Sequence, residues 1–164
     1  VNEKKLVLLS LAIFGLLMII FPASHSMAAE INGVNIYSTD SDFDEVIFGL
    51  ESAVIDRGYK IDYKGYISRM MERTAQDFGG DKSVYKNAQF MTFCSVSLTR
   101  AMVKADPKNL AFCPYIIFIY ELRDKPGQTF IGYRRPITSG SPESIKAVSA
   151  VDKLLDSIVR KAVE

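Results

Sequence analysis

The sequence predicts an α+β domain in which a single mixed or antiparallel sheet is packed by helices, in the approximate order βαβαβαββα. Three observations lead there. The run from Tyr115 to Leu122 (YIIFIYEL) is β-branched and aromatic, and an Asp-Lys-Pro-Gly turn separates it from a second strand-like stretch, the pattern of a hairpin. Segments of helical period alternate with strand-like ones from Ser41 onward. No repeat, low-complexity stretch or linker-length loop divides the chain, so one core is expected.

At the amino end, Lys4 and Lys5 form a short basic region before an apolar run over residues 6–21, followed by Pro22, Ala23 and Ser24. Ser26-Met27-Ala28 then places small residues at the two positions a signal peptidase reads. The expectation is a secretory signal peptide over residues 1–28, cleaved after Ala28, and a single domain over residues 29–164. That domain would lie in the periplasm or be secreted, meeting the membrane only during export. The apolar run is shorter than the roughly twenty residues needed to span a bilayer, and no cysteine follows it to accept a lipid. Removing 28 of 164 residues leaves 136, enough for one domain with its own core.

Residues 33–38 read as the first strand, with Val34 and Ile36 alternating. Ser41-Asp42-Phe43-Asp44 has the form of a helix start, a hydroxyl capping the free amides and an acid in the first turn. Phe43, Val46, Ile47, Leu50 and Val54 recur behind it at helical spacing, up to Gly58. Tyr59, Ile61 and Tyr63 alternate with Lys60, Asp62 and Lys64 as a strand with one wet face, turning at Gly65. Ile67, Met70, Met71, Thr74 and Phe78 predict a second helix closed by Gly79-Gly80, its methionines serving as core filler.

Residues 89–93 are a third strand, leading through Cys94-Ser95 into a helix with Val96, Leu98, Met102 and Ala105 that Asp106-Pro107 ends. A turn through Lys108 and Asn109 precedes the Tyr115 to Leu122 run, expected at the sheet centre, and residues 128–134 form its hairpin partner. Ser141 as cap, Pro142 and Glu143 then open a long closing helix carrying Ile145, Val148, Val151, Leu155, Ile158 and Val159 on one face.

Between Gln89 and Pro136, FMTFCSVSLTRAMVKADPKNLAFCPYIIFIYEL followed by TFIGYRRP resembles the DUF302 family of small prokaryotic domains. The resemblance is carried by Cys94-Ser95, Met102, Phe112-Cys113-Pro114, Tyr120 and Tyr133. Many members have Asn-Pro where this chain has Cys94-Ser95, and Leu-Pro where it has Cys113-Pro114, so the chain looks like a cysteine-bearing branch. The resemblance implies a compact α/β unit that associates as a homodimer. It supplies no activity and no catalytic residue.

The composition narrows the chemistry. Twenty basic and nineteen acidic residues are mixed along the chain for a net charge of +1, so nucleic acid is not an expected partner. The single histidine, His25, lies in the signal region, so a mature chain would hold no His-based general base, no Ser-His or Cys-His nucleophile pair and no His-ligated metal. No CxxC is present. No catalytic residue, metal site or cofactor is therefore expected, and enzymatic activity is not.

Cys94 and Cys113 remain, with three readings open. A helix from Cys94 to Ala105 rises about 16 Å and the connection onward reaches roughly 23 Å, so Cys113 can return beside Cys94 and form a disulfide. Closing that loop would stabilise the fold by about 3 kcal/mol. Alternatively Cys94, at a helix start, has its thiol pKa lowered and works as a redox, sulfur-handling or Cu(I) site with Cys113. Met102, about 12 Å up the helix, is a poor co-ligand. The third reading is a pair of inert buried thiols.

Ser95, Met102, Tyr115, Tyr120, Tyr133 and Arg134 are candidate ligand-lining residues. Arg134-Arg135-Pro136 could meet an anion, although adjacent strand residues point to opposite faces. Tyr59, Tyr63 and Tyr66 could extend an aromatic pocket or simply pack. Asp42, Asp44 and Glu45 read as helix-start charges, and Gly79-Gly80-Asp81-Lys82 lacks phosphate-loop spacing. The expected function is an exported, non-enzymatic module that binds a small ligand or an envelope protein through its sheet, its dimer groove or an edge strand.

Overall fold

The computed structural model describes residues 28–31, 33–80 and 83–164. The expected signal peptide lies outside the described residues except for Ala28, as do Asp81 and Lys82. In chain order the elements are β1 (Ala28–Ile31), β2 (Val34–Thr39), α1 (Phe43–Ile55), β3 (Ile61–Tyr66), α2 (Ile67–Thr74), β4 (Tyr85–Phe93), α3 (Val96–Ala105), β5 (Tyr115–Leu122), β6 (Thr129–Arg134) and α4 (Pro142–Ala162). Short 3-10 turns, Ala75–Phe78 and Pro107–Phe112, follow α2 and α3. The strands form one sheet in the order β1-β2-β6-β5-β4-β3, every neighbouring pair antiparallel, with the β5–β6 hairpin at its centre. The expected α+β class holds, and the sheet is antiparallel rather than mixed.

Strand parity divides the sheet into two unlike faces. Phe93, Met91, Tyr115, Ile117, Ile119, Ile131, Tyr133 and Tyr37 point to one side, where α1, α3 and α4 cover them and each is at most 2% exposed. Val46, Leu50 and Val54 of α1 and Val148, Val151, Leu155, Ile158 and Val159 of α4 complete this core. The opposite face carries Val34, Ile36, Phe90, Ile116, Phe118, Tyr120 and Phe130, half-buried or exposed. Only α2, which packs on β4, borders that side.

Several local expectations are corrected. Gly65 is no turn but lies inside β3, opposite Phe90. The first helix is capped at Asp42 without a side-chain bond, because the Ser41 hydroxyl is engaged by Thr39 instead. Met70, Phe78 and Ile145 are exposed: the first two lie on a helix and turn with nothing packed above them, and Ile145 falls before α4 reaches the sheet. The turn at Lys108-Asn109 is a 3-10 segment whose buried Asn109 donates to the Met102 carbonyl and the Ser144 hydroxyl, tying the end of α3 to the start of α4. Ser141 caps α4 through the Ser144 amide, as its position implied.

Candidate functional site

The β4–β5 register pairs Phe93 with Tyr115, so Cys94, one residue beyond Phe93, and Cys113, two residues before Tyr115, lie at the same end of the sheet. Both are free, half-buried thiols. Cys113 lies close enough to the Cys94 thiol to help raise its pKa. Thr99, one turn into α3, joins the group: its hydroxyl lies 3.4 Å from Cys113 Sγ and 3.3 Å from the Tyr115 hydroxyl. Ser95 is fully buried and serves as the α3 cap, accepting from the Leu98 amide. Cys94 and Ser95 form the floor of an open cleft of about 690 Å³ that Tyr59, Lys60, Asp62 and Arg100 border.

The electrostatics correct one expectation. A helix start was to lower the Cys94 pKa, yet the thiol is held above its ordinary value, first by burial and then by Cys113 and Asp62. The backbone of Tyr115 works weakly the other way. Burial likewise pushes the Tyr115 hydroxyl up to about 12.

Of the other candidate residues, Met102 is fully buried in the core. Tyr133 is buried beneath α4, where its hydroxyl accepts from the Asn35 amide at 2.7 Å and donates to Asp152 at 3.3 Å. Arg135 pairs with the same carboxylate at 3.0 Å. Tyr37 donates to Asp156, which Arg160 holds from the other side. These bonds lock α4 to β2 and β6. Arg134 points out of the opposite face, exposed to solvent.

Tyr120 belongs to a second site on the bare face. Phe90 and Phe118 are cross-strand partners, yet their rings lean apart. Each lies over a glycine of the outer neighbouring strand: Phe90 over Gly65, and Phe118 over Gly132. A Cβ at either glycine would run into the ring, so at Gly65 the Phe90 ring would have to swing aside, and at Gly132, where the Asn35 carbonyl also stands in the way, only hydrogen fits. Phe90 rests against Tyr63 (5.8 Å between centroids), whereas Phe118, Tyr120 and Phe130 stack in sequence at 6.2 and 4.9 Å. The gap between the divergent rings is a trough of about 350 Å³ lined by Ile67, Tyr85, Ala88, Phe90, Ile116, Phe118 and Tyr120. The sequence reading missed Phe90, Phe118 and Ala88, although period-2 parity separates Tyr120 from Tyr115 and would have found them.

Among the described residues no group of three His, Cys, Asp or Glu side chains is placed to hold a metal, and no helix is long and apolar enough to cross a membrane. Asp42, Asp44 and Glu45 are exposed around the start of α1.

A family model described as "Domain of unknown function DUF302" matches residues 35–162. A crystal structure of a DUF302 protein from Bacillus stearothermophilus has a similar fold, with a TM-score of 0.65 at 16% identity, covering 80% of this chain and 99% of that one. No curated protein matches the chain.

Proposed function

The chain belongs to the DUF302 family, and from that premise we propose that it is an exported, non-enzymatic binding domain that holds a small apolar, ring-bearing ligand in the trough between Phe90 and Phe118, working as a homodimer in the periplasm or outside the cell. The observation that carries this reading is the trough itself. Its volume of about 350 Å³ lies within the range of small-molecule pockets, its floor is Ala88 and its walls are aromatic. Tyr85 and Tyr120 meet edge to face at 5.6 Å, so two phenol groups border an otherwise apolar space and can orient a polar substituent.

Export rests on the basic region, apolar run and small-residue site of residues 1–28. The homodimer rests on the family resemblance and on the bare face around the trough. The five strands from β2 to β3, at about 4.8 Å spacing and six residues of rise, give a face roughly 20 Å on a side. That is the scale of one half of a small, weak interface, and a second copy laid over it would roof the trough.

Titration with 1-anilinonaphthalene-8-sulfonate, a ring-bearing apolar probe, tests the site. Saturable, blue-shifted emission at one probe per chain is expected. Ala88→Leu, which fills the floor, should abolish it while circular dichroism stays unchanged. Equal binding by the wild type and Ala88→Leu would place the probe elsewhere and refute the assignment.

A further inference from the structure

We propose that Cys94 and Cys113 form a two-thiolate site for Cu(I), independent of the aromatic trough on the other side of the sheet. The register places Cys94, just after Phe93, and Cys113, two residues before Tyr115, at the same end of β4 and β5, near enough for each to act on the other's charge. The Thr99 hydroxyl lies 3.4 Å from Cys113 Sγ, a polar neighbour beside one of the two ligands. Cys94 opens onto the 690 Å³ cleft, which gives a cation its approach.

The ligand count selects the metal. No group of three His, Cys, Asp or Glu side chains includes the pair among the described residues, and Met102 is fully buried in the core. Zinc asks for four protein ligands in a closed site or three and a water. Cu(I) is soft, prefers thiolate, and is content with two sulfurs in a line. On binding, two S–H bonds break, two Cu–S bonds form and two protons leave to solvent, with no change of oxidation state. The resulting complex carries one negative charge, beside which Lys60 and Arg100 of the cleft are favourably placed and Asp62 unfavourably.

The test is anaerobic titration of the fully reduced protein with Cu(I) against a competing chromogenic Cu(I) chelator. One Cu(I) per chain is expected, with an ultraviolet thiolate-to-copper charge-transfer band. Cys94→Ser and Cys113→Ser should each lose the band while keeping a wild-type circular dichroism spectrum. Thr99→Val, which keeps both sulfurs, should weaken binding about tenfold, and Asp62→Asn should tighten it. Should a serine variant misfold, alkylation of both thiols in the folded wild type replaces it and should remove the band. Failure to take up Cu(I) when both thiols are shown to be free, retention of the band after either serine substitution, or Zn(II) binding as tight as Cu(I) would overturn the proposal.

Discussion

The two faces of the sheet are built from alternate residues of the same strands, yet they follow opposite rules. On the helix-covered side, Ile117, Ile119 and Ile131 are sealed at 0–1% exposure, and every buried side-chain polar atom among the described residues has a partner. Glu121 is held by Lys86 and Asn87, both at 2.8 Å, and Tyr133 by Asn35 and Asp152. On the bare side the residues are rings, partly wet, lying over glycines rather than interlocking with a second layer. Ile117 and Phe118 are adjacent in sequence and belong to different worlds. The lesson is that one face supplies the stability and so frees the other to keep an opening.

Replacing one residue on each face gives the sharpest test of that division. Ile117→Ala leaves a cavity in a fully buried site and should cost about 2–5 kcal/mol, read as a lower midpoint in urea, with probe binding per folded molecule unchanged. Phe118→Ala should do the reverse, lowering probe affinity at least tenfold while costing about 1 kcal/mol of stability, because its ring is only half-buried. If both variants lose stability alike, the two faces are not energetically distinct.

Gly65→Ala is a finer probe of the bare side. A Cβ there meets the end of the Phe90 ring, which can swing, whereas at Gly132 it would also meet the Asn35 carbonyl, which cannot. Gly65→Ala should therefore fold, with the Phe90 ring driven into the trough and probe affinity reduced; unchanged affinity would mean the ring does not set the width of the trough.

The covered face should also announce itself through pH. Tyr37 and Tyr115 have hydroxyls raised from 10 to about 12, the first by burial and the Asp156 bond, the second chiefly by burial. Their contribution to stability is complete below pH 10 and is lost as pH climbs toward 12. The melting temperature should fall over that window, and Tyr115→Phe should flatten the fall. The smallest effect is at the acid end. The Lys86 bond holds the Glu121 carboxyl below the usual carboxylate range despite burial. Its contribution is therefore present above the ordinary Glu pKa and disappears as pH drops through the lowered one. Glu121→Gln should shallow the acid limb of a stability profile, and an unaltered limb would assign that limb to other carboxylates.

Much of this architecture was legible before any coordinates. The Tyr115 to Leu122 strand and its hairpin partner come out at or within a residue of their bounds, and α3 ends at Ala105 as expected though it starts at Val96 rather than Cys94, because turn chemistry and capping are local signals. What escaped depends on partners distant in the chain. Strand β1 (Ala-Ala-Glu-Ile) has no alternation and exists through its pairing with β2. Gly65 looked like punctuation because its reason, the Phe90 ring, arrives from 25 positions later in the sequence. The cysteine pair was legible as a pair, but Thr99 and Asp62, which tune it, carry no mark in sequence. Tyr115, Tyr120 and Tyr133 were grouped as one candidate lining when strand parity and register scatter them to the core beside Thr99, the trough and the α4 interface.

The two glycine–phenylalanine contacts have a consequence for how the chain finds its sheet. A slip of one residue would turn each strand over and be rejected by burial. A slip of two keeps every side chain on its proper face, and ordinary hydrophobic patterning cannot tell it from the true alignment. In this sheet it can be told. Sliding β3 by two would set Phe90 against Tyr63 or Ile67, and sliding β6 by two would set Phe118 against Phe130 or Arg134. Only in the native alignment does each ring find a position with no side chain in its way, so the residues that hold the trough open also act as keys that admit one assembly of the strands and refuse its nearest imitation.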